Sequence, residues 1–228
     1  LALLPEWGKY DPRAMGAATV DECVRSLVAS GANPERIALL DNFCVGNPDN
    51  SRELGMLVET CKGIAGVAEA YGAPFVSGKD SFYNYFETEE GEVTIPTTCL
   101  ISGMGIIEKQ AHVTGASIRK AGSALVIVGC SGPGMGGSVY ARQKGVVDGQ
   151  VPGFDPALAH ESYRKFHQAV NEGLILAAHD LSEGGLAVAA AEMGFSLNAG
   201  LEIDLDALPA EGSPGIVALL FGESPARI

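Results

Sequence analysis

The chain has 228 residues, 46% of them hydrophobic, and a formal net charge of −13. This length suits one large domain or two ordinary ones with a sizeable core. The negative charge excludes nucleic acids and anionic membranes as expected partners, although local donors or a bound cation still allow a small phosphorylated ligand. The five scattered cysteines, with no C-x-x-C pair, indicate neither a disulfide framework nor a zinc site, and they favour a cytoplasmic location.

The first part of the chain predicts helices alternating with strands. An amphipathic segment capped by Asn50 or Ser51 and ended by Gly72 is typical of a helix. Strand, helix and strand in this order indicate a parallel α/β arrangement. The predicted elements are a helix over 17–30, a strand at IALLDN (37–42), a helix over 51–71 and a strand at APFVSG (73–78).

The remaining elements follow a hairpin turn at EEGE. A polar stretch at 111–123 reads as a linker between two sections, 1–110 and 124–228. The start without Met and the stop after an apolar run lead us to expect a piece of a longer protein. Further elements are a central strand at 97–108, strands at 123–129, 174–180 and 215–221, and helices over 155–170 and after SEGG (182–185).

The stretch FVSGKDSFYN (75–84) looks like a phosphate-binding loop but fails its spacing. Five residues separate Gly72 from Gly78, and Lys79 is followed by Asp80. The stretch is either a structural turn or a ligand site, because ligands of α/β proteins collect at the carboxyl ends of parallel strands. Asp41 and Asn42 lie at the end of the neighbouring predicted strand.

The stretch AAHDLSEGGL (177–186) is more specific. Asp180 follows an apolar run, and a carboxylate there suits Mg²⁺, which prefers oxygen ligands and accepts phosphate oxygens. The following double glycine and helix start favour an anion. Asp180 and Ser182 would serve equally well as helix caps. Glu22 and Ser26, four apart on a helix, either reach one ligand together or form a polar face.

Two weaker features complete the set of candidates. The glycine-rich stretch CSGPGMGGSVYA (130–141) could cradle an anion, but glycines alone are weak evidence for this. His160 and His167 lie two turns apart on one predicted helix and are expected to face solvent.

Five stretches together resemble phosphoribosylformylglycinamidine synthase, in the aminoimidazole ribonucleotide synthetase-like superfamily. The resemblance implies an α/β (α+β) fold with an A-type domain at 1–110, incomplete at its start, and a truncated B-type domain at 124–228. It implies the second of two tandem units, whose A domains pack as a pseudo-dimer around a β-barrel. The stretches are GAATVDECVRSLVASGA, LLDNFCVGNP, PFVSGKDSFYN, AAHDLSEGGLAVAAAEM and LLFGESPAR.

The resemblance also implies roles for residues at the first candidate site. Asp41 and Gly78 match ATP-contacting positions, and Ser81 matches a substrate-binding serine. Lys79 stands where one form of the family has an asparagine that ligates Mg²⁺, so the resemblance marks it as an active-site position without assigning it a role. The catalytic histidines belong to the first unit, and none is expected in this chain.

A second set matches a pseudo-active site that holds a nucleotide and magnesium without turning it over. Its members here are Glu22, Ser26, Asp180 and Ser182, with Ser26 in place of an expected asparagine. The cofactors implied are ATP and Mg²⁺.

The implied activity is conversion of formylglycinamide ribonucleotide, ATP and ammonia to the amidine, with ATP phosphorylating the amide oxygen. Implied partners are a glutaminase that supplies ammonia and the first synthetase unit. An unpaired A domain would expose its barrel-forming strands, which invites pairing with a second copy of this chain through the A domains. The alternatives are a non-catalytic, nucleotide-holding half, or another ATP-dependent member of the superfamily such as a selenide or thiamine-phosphate kinase. The isolated fragment is expected to be inactive.

Overall fold

The computed structural model describes residues 1–146, 149–196 and 200–228. The first section contains both helices and strands, whereas the named elements of the second section are helices. The helices are α1 Pro5–Gly8, α2 Pro12–Ala29, α3 Ser51–Tyr71, α4 Val139–Gln143, α5 Pro156–Asn171, α6 Gly185–Gly194 and α7 Ile216–Phe221. The strands are β1 Ile37–Cys44, β2 Phe75–Ser81, β3 Tyr85–Thr88, β4 Gly91–Thr94 and β5 Thr98–Gly105.

Helix α3 begins and ends where the sequence predicts. The Asn50 side chain accepts a hydrogen bond from the Arg52 N–H at 2.9 Å, so Asn50 rather than Ser51 is the cap. Gly72 ends the helix in the left-handed conformation, with φ 60°. Helix α3 packs closely on α2, because a Cβ on Gly63 would lie only 2.0 Å from the Arg13 carbonyl oxygen.

Strand β1 is the centre of a three-stranded sheet. It pairs in parallel with β2 and antiparallel with β5, and the predicted parallel pair is confirmed. The segment predicted as the central strand, 97–108, supplies β5 at one side of this sheet instead. Strands β3 and β4 form the predicted hairpin across EEGE.

One hydrophobic core joins the two sections. Helices α2, α3 and α5 contribute to it together with the inner faces of β1 and β5. The most deeply buried members include Val20, Val24, Val28, Leu39, Val67, Tyr71, Ile101 and Tyr163. The mixed α/β class expected from the sequence is confirmed, and no helix within the described ranges is long and apolar enough to cross a membrane.

Three apolar runs of the second section are not the strands that the sequence predicts. The runs at 123–129 and 174–180 are irregular, and 216–221 is helix α7. Their backbone pairing is sparse: Val128 exchanges two hydrogen bonds with Ile228, at 2.8 and 3.0 Å. A short apolar run cannot distinguish a strand from a buried helix, and a strand needs a continuous neighbour to form a ladder.

Helix α5 buries both of its histidines, contrary to expectation. His160 is 6% exposed and lies 5.4 Å from Tyr71, measured between ring centroids. His167 is 8% exposed and lies 3.1 Å from the Asn171 side-chain nitrogen. Burial lowers the pKa of both imidazoles, so α5 presents them to the core as neutral packing groups.

Candidate functional site

The parallel register of β1 and β2 brings the first predicted site together. Asp41 lies beside Gly78, and Asn42 lies beside Lys79. Successive side chains of a strand point to opposite faces, and registered neighbours share a face. Asp41 and Gly78 therefore occupy one face of the strand pair, whereas Lys79 and Ser81 occupy the other.

Gly78 makes room for the Asp41 carboxylate. A Cβ at position 78 would lie 2.2 Å from Asp41 Oδ1 and 2.8 Å from its Cγ, closer than any real contact. Asp41 shares its face of β1 with buried Leu39 and Phe43. Burial, reinforced by the nearby Asp80 carboxylate, raises the pKa of Asp41.

The opposite face of β2 carries a cation and a hydroxyl. The Lys79 ammonium donates a hydrogen bond to Ser81 Oγ. Both groups can donate to an anionic oxygen, which suits a phosphate or carboxylate ligand. The loop after Ser81 is held by Asn84, whose side-chain amide donates to the carbonyls of Val45 and Ser81 at 2.9 Å each.

Three of the four residues predicted for the second site line one cleft of about 200 Å³. They are Glu22 from α2 and Asp180 and Ser182 from the loop before α6. Ser182 Oγ donates to Asp180 Oδ2 at 2.5 Å. Ser26 lies one turn further along α2, outside the cleft lining. The other lining residues are His179, Glu183, Ala189 and Glu192.

The cleft is acidic. Burial raises the pKa of Glu22 to about 7, with Arg25 opposing the rise and the Asp180 and Glu183 carboxylates adding to it. Among residues 1–146, 149–196 and 200–228, no three His, Cys, Asp or Glu side chains are grouped closely enough to hold a metal ion. The oxygen donors suit Mg²⁺ in kind, but a bound ion would need oxygen atoms from its ligand as well.

Arg25 fixes the loop that carries Asp180 and Ser182. Its guanidinium is buried, is paired with Asp21, and donates to the Leu181 carbonyl at 3.2 Å and to Ser182 Oγ at 3.1 Å. Burial lowers the pKa of Arg25, but the Asp21 carboxylate, joined by smaller contributions from Tyr163, Asp180 and Glu22, outweighs burial, and the net direction is upward. The sequence analysis missed Arg25, although its position four residues after Asp21 is a visible helical ion-pair spacing.

Asp21 is the centre of this buried network. Its Oδ1 accepts from the hydroxyls of Tyr71 at 2.6 Å and Tyr163 at 2.5 Å. Its Oδ2 accepts from Arg25 and from the Ala226 N–H, the latter at 2.9 Å. One fully buried carboxylate thus ties α2 to α3, α5 and the segment at 226.

We expect the protonation of Glu22 to leave a measurable pH dependence of stability. Its raised pKa means that the folded protein binds more protons than the unfolded chain between pH 4.5 and about 7. Stability contributed by this group therefore falls as pH rises through that window. Glu22→Gln should remove this loss. The difference in free energy of unfolding between the variant and wild type should therefore be on the order of 3 kcal/mol more favourable to the variant at pH 8 than at pH 4.

Urea denaturation of wild type and variant across this pH range measures the difference. Glu89→Gln, at an exposed position of the hairpin turn, is the control and should shift stability equally at all pH values. A Glu22→Gln difference that does not change with pH would contradict the raised pKa.

Two family models match the chain in order. The AIR synthase related protein, N-terminal domain, matches residues 3–102. The AIR synthase related protein, C-terminal domain, matches residues 120–227. The chain belongs to the AIR synthase related protein family.

Within this family, the chain is similar to the phosphoribosylformylglycinamidine synthase subunit PurL. It is 34% identical over 223 residues to PurL of Thermococcus sibiricus, covering 98% of this chain and 30% of that protein. It is 37% identical over 225 residues to PurL of Brucella ovis, covering 98% and 29%. The chain thus spans less than a third of the length of these relatives.

Two solved structures are similar to this chain in fold. The Thermotoga maritima PurL complexed with FGAR superposes with a TM-score of 0.75 at 19% identity, over 99% of this chain and 36% of that chain. The thiamine monophosphate kinase of Aquifex aeolicus superposes with a TM-score of 0.60 at 18% identity, over 96% and 72%. At these identities the likeness concerns the fold alone.

Proposed function

We propose that this chain is part of a phosphoribosylformylglycinamidine synthase, an ATP-dependent carbon–nitrogen ligase. The enzyme would use formylglycinamide ribonucleotide, ATP and glutamine-derived ammonia. The similarity to PurL over 98% of the chain supports this proposal. The observation that carries it is the pairing of Asp41 with Gly78 beside Lys79 and Ser81, which gathers the four proposed active-site positions at one strand pair.

The two faces of this strand pair suit two ligands. In our proposal Asp41 and Gly78 contact ATP, and Ser81 binds formylglycinamide ribonucleotide from the other face. Lys79, which donates a hydrogen bond to Ser81, supplies positive charge to a phosphate on that face. Bound Mg²⁺ would neutralise phosphate charge during transfer. No catalytic histidine is assigned to this chain.

The wider setting is proposed from the same similarity. The A-type domain is placed at 1–110 with a sheet that contributes to a barrel, 111–123 is the linker, and 124–228 is the B-type domain. A glutaminase would supply ammonia, and a first synthetase unit would complete the active site. Pairing of two copies through the A domains and a cytoplasmic location belong to the same proposal.

Ser81→Ala tests the substrate role. In the whole enzyme we expect KM for formylglycinamide ribonucleotide to rise about 10-fold, because a hydrogen bond to a charged group contributes about 1.5–3 kcal/mol. KM for ATP should change little. Steady-state kinetics with each substrate varied in turn measures both constants.

Ser77→Ala is the matched control, because Ser77 lies on the same face of β2 four residues earlier, at an exposed position. It should leave both KM values unchanged. An unchanged KM for formylglycinamide ribonucleotide in Ser81→Ala would remove the substrate role.

A second candidate is a half that holds a nucleotide without turning it over. The acidic cleft at Glu22, Asp180 and Ser182 favours this second candidate. The described residues place carboxylates in the cleft, but no three of them are grouped closely enough to hold a metal ion by themselves. In that case the cleft residues would bind a nucleotide through its own Mg²⁺, and Ser81→Ala would leave the kinetics unaltered.

A further inference from the structure

One buried carboxylate joins the two glycine-rich loops of the second section. Glu223 is 7% exposed, and its Oε1 accepts hydrogen bonds from the backbone N–H groups of Val139 at 2.9 Å and Gly184 at 2.8 Å. Val139 begins α4 after the loop at 130–138, and Gly184 caps α6 after the loop at 180–183. A single side-chain oxygen thus serves the starts of two helices.

The backbone around Glu223 fits these loops closely. Gly185 has φ 64°, and a Cβ there would lie 2.4 Å from the Gly222 carbonyl oxygen. Ser224 Oγ accepts from the Gly132 N–H at 3.0 Å. Fully buried Arg227 donates to the Gly222 carbonyl at 2.6 Å and to Ser131 Oγ at 3.0 Å. The segment at 222–227 is therefore held at several points, and Glu223 has little freedom to move.

The Glu223 hydrogen bonds limit what the two glycine-rich loops can offer to a ligand anion. The sequence suggested that the N–H groups at these helix starts would receive a ligand anion. The protein's own carboxylate already takes two of those groups. The loop at 180–183 still presents its side chains to the large cleft, among them those of Asp180 and Ser182.

Glu223 cannot itself reach a ligand in that cleft. It lines a small cavity together with Glu22, Arg25 and Ser182, and the volume of that cavity is about 10 Å³. Such a space holds at most one water molecule. Glu223 thus acts on the cleft only through the backbone that it binds.

We infer that Glu223 is a positioning residue of the cleft, which fixes Ser182 from one side of the loop while Arg25 fixes it from the other. Arg25 holds Leu181 and Ser182, and Glu223 holds Gly184, so the loop is pinned on both sides of Glu183. This inference rests on the proposed function only in that the cleft is taken to bind a magnesium nucleotide.

Hydrogen exchange of the whole protein, with and without Mg²⁺-ADP, tests the inference. In Glu223→Ala we expect the Gly184 amide to exchange about 5- to 150-fold faster, as a lost hydrogen bond of about 1–3 kcal/mol implies. Protection of residues 180–186 by Mg²⁺-ADP should require about 10-fold more nucleotide. Glu223→Gln keeps an oxygen at the same reach and should behave as wild type in both respects.

Glu202→Ala, at an exposed position, is the control and should change neither quantity. If Glu223→Ala unfolds, seen as faster exchange throughout α3, Glu223→Asp replaces it, because its shorter side chain cannot reach both amides. Unchanged Gly184 exchange in the variant, or loss of protection in Glu223→Gln, would overturn the positioning role. A wild-type protein whose residues 180–186 do not respond to Mg²⁺-ADP would refute the nucleotide role of the cleft and leave the Gly184 result to judge Glu223.

Discussion

Asp21→Asn is expected to lower the free energy of unfolding by about 3–5 kcal/mol, the usual cost of removing one partner of a buried ion pair. Each carboxylate oxygen of Asp21 accepts from two donors, the Tyr71 and Tyr163 hydroxyls on one side and Arg25 and the Ala226 N–H on the other. An amide has one oxygen, so either orientation turns an NH₂ group towards two donors. The buried Arg25 charge also loses its counter-charge.

Urea denaturation measures this loss. Asp206→Asn makes the same chemical change at an exposed position and should alter stability by less than about 0.5 kcal/mol. A cost below about 1 kcal/mol for Asp21→Asn would show that Arg25 and the tyrosines reach other partners, and the network would then not be the link between the two sections.

Gly78→Ala is expected to reduce kcat/KM for ATP about 100-fold in the whole enzyme, because misplacing a binding group by about 1 Å has that effect. The added Cβ would overlap Asp41 Oδ1, at 2.2 Å, so the carboxylate must leave its position. Position 78 is exposed and does not have a positive φ, so the fold should persist. Steady-state kinetics and thermal unfolding separate the two effects.

Gly55→Ala is the matched control. Gly55 lies within α3, and a Cβ there would meet nothing within 4 Å. Because alanine favours a helix over glycine by about 1 kcal/mol, this variant should be slightly more stable with unaltered kinetics. Normal kcat/KM for ATP in Gly78→Ala would exclude the proposed ATP contact of Asp41.

Local signals predicted the first section well. The cap at Asn50 and the stop at Gly72 act within a few residues, so they are visible in the sequence. The apolar spacing was a poorer guide, because Leu54 and Val58 are exposed. The strand at 37–42 is short and apolar, and β1 does form there. The parallel pairing of β1 and β2 was also predicted, because a strand–helix–strand unit leaves little choice of arrangement, whereas the register that sets Asp41 beside Gly78 is known only from the structure.

The second section and the supports of the cleft depend on contacts that local patterns do not carry. The apolar runs at 123–129 and 174–180 match a strand pattern, but a strand also needs a neighbour along its length. Arg25 and Ser182 lie 157 positions apart, and Asp21 and Ala226 lie 205 positions apart. A charged residue inside an apolar helix face indicates that a partner exists without saying where it is.

Because successive side chains of β2 point to opposite faces, the two faces are under different constraints. Position 78 is restricted to glycine by the carboxylate beside it, whereas positions 77, 79 and 81 point away from that carboxylate. Changes at the odd-numbered positions can therefore accumulate without disturbing the even-numbered side. Under the proposed assignment of one ligand to each face, a lineage could retune recognition of one ligand while keeping the other, and a library randomised at 77, 79 and 81 would explore that freedom in the laboratory.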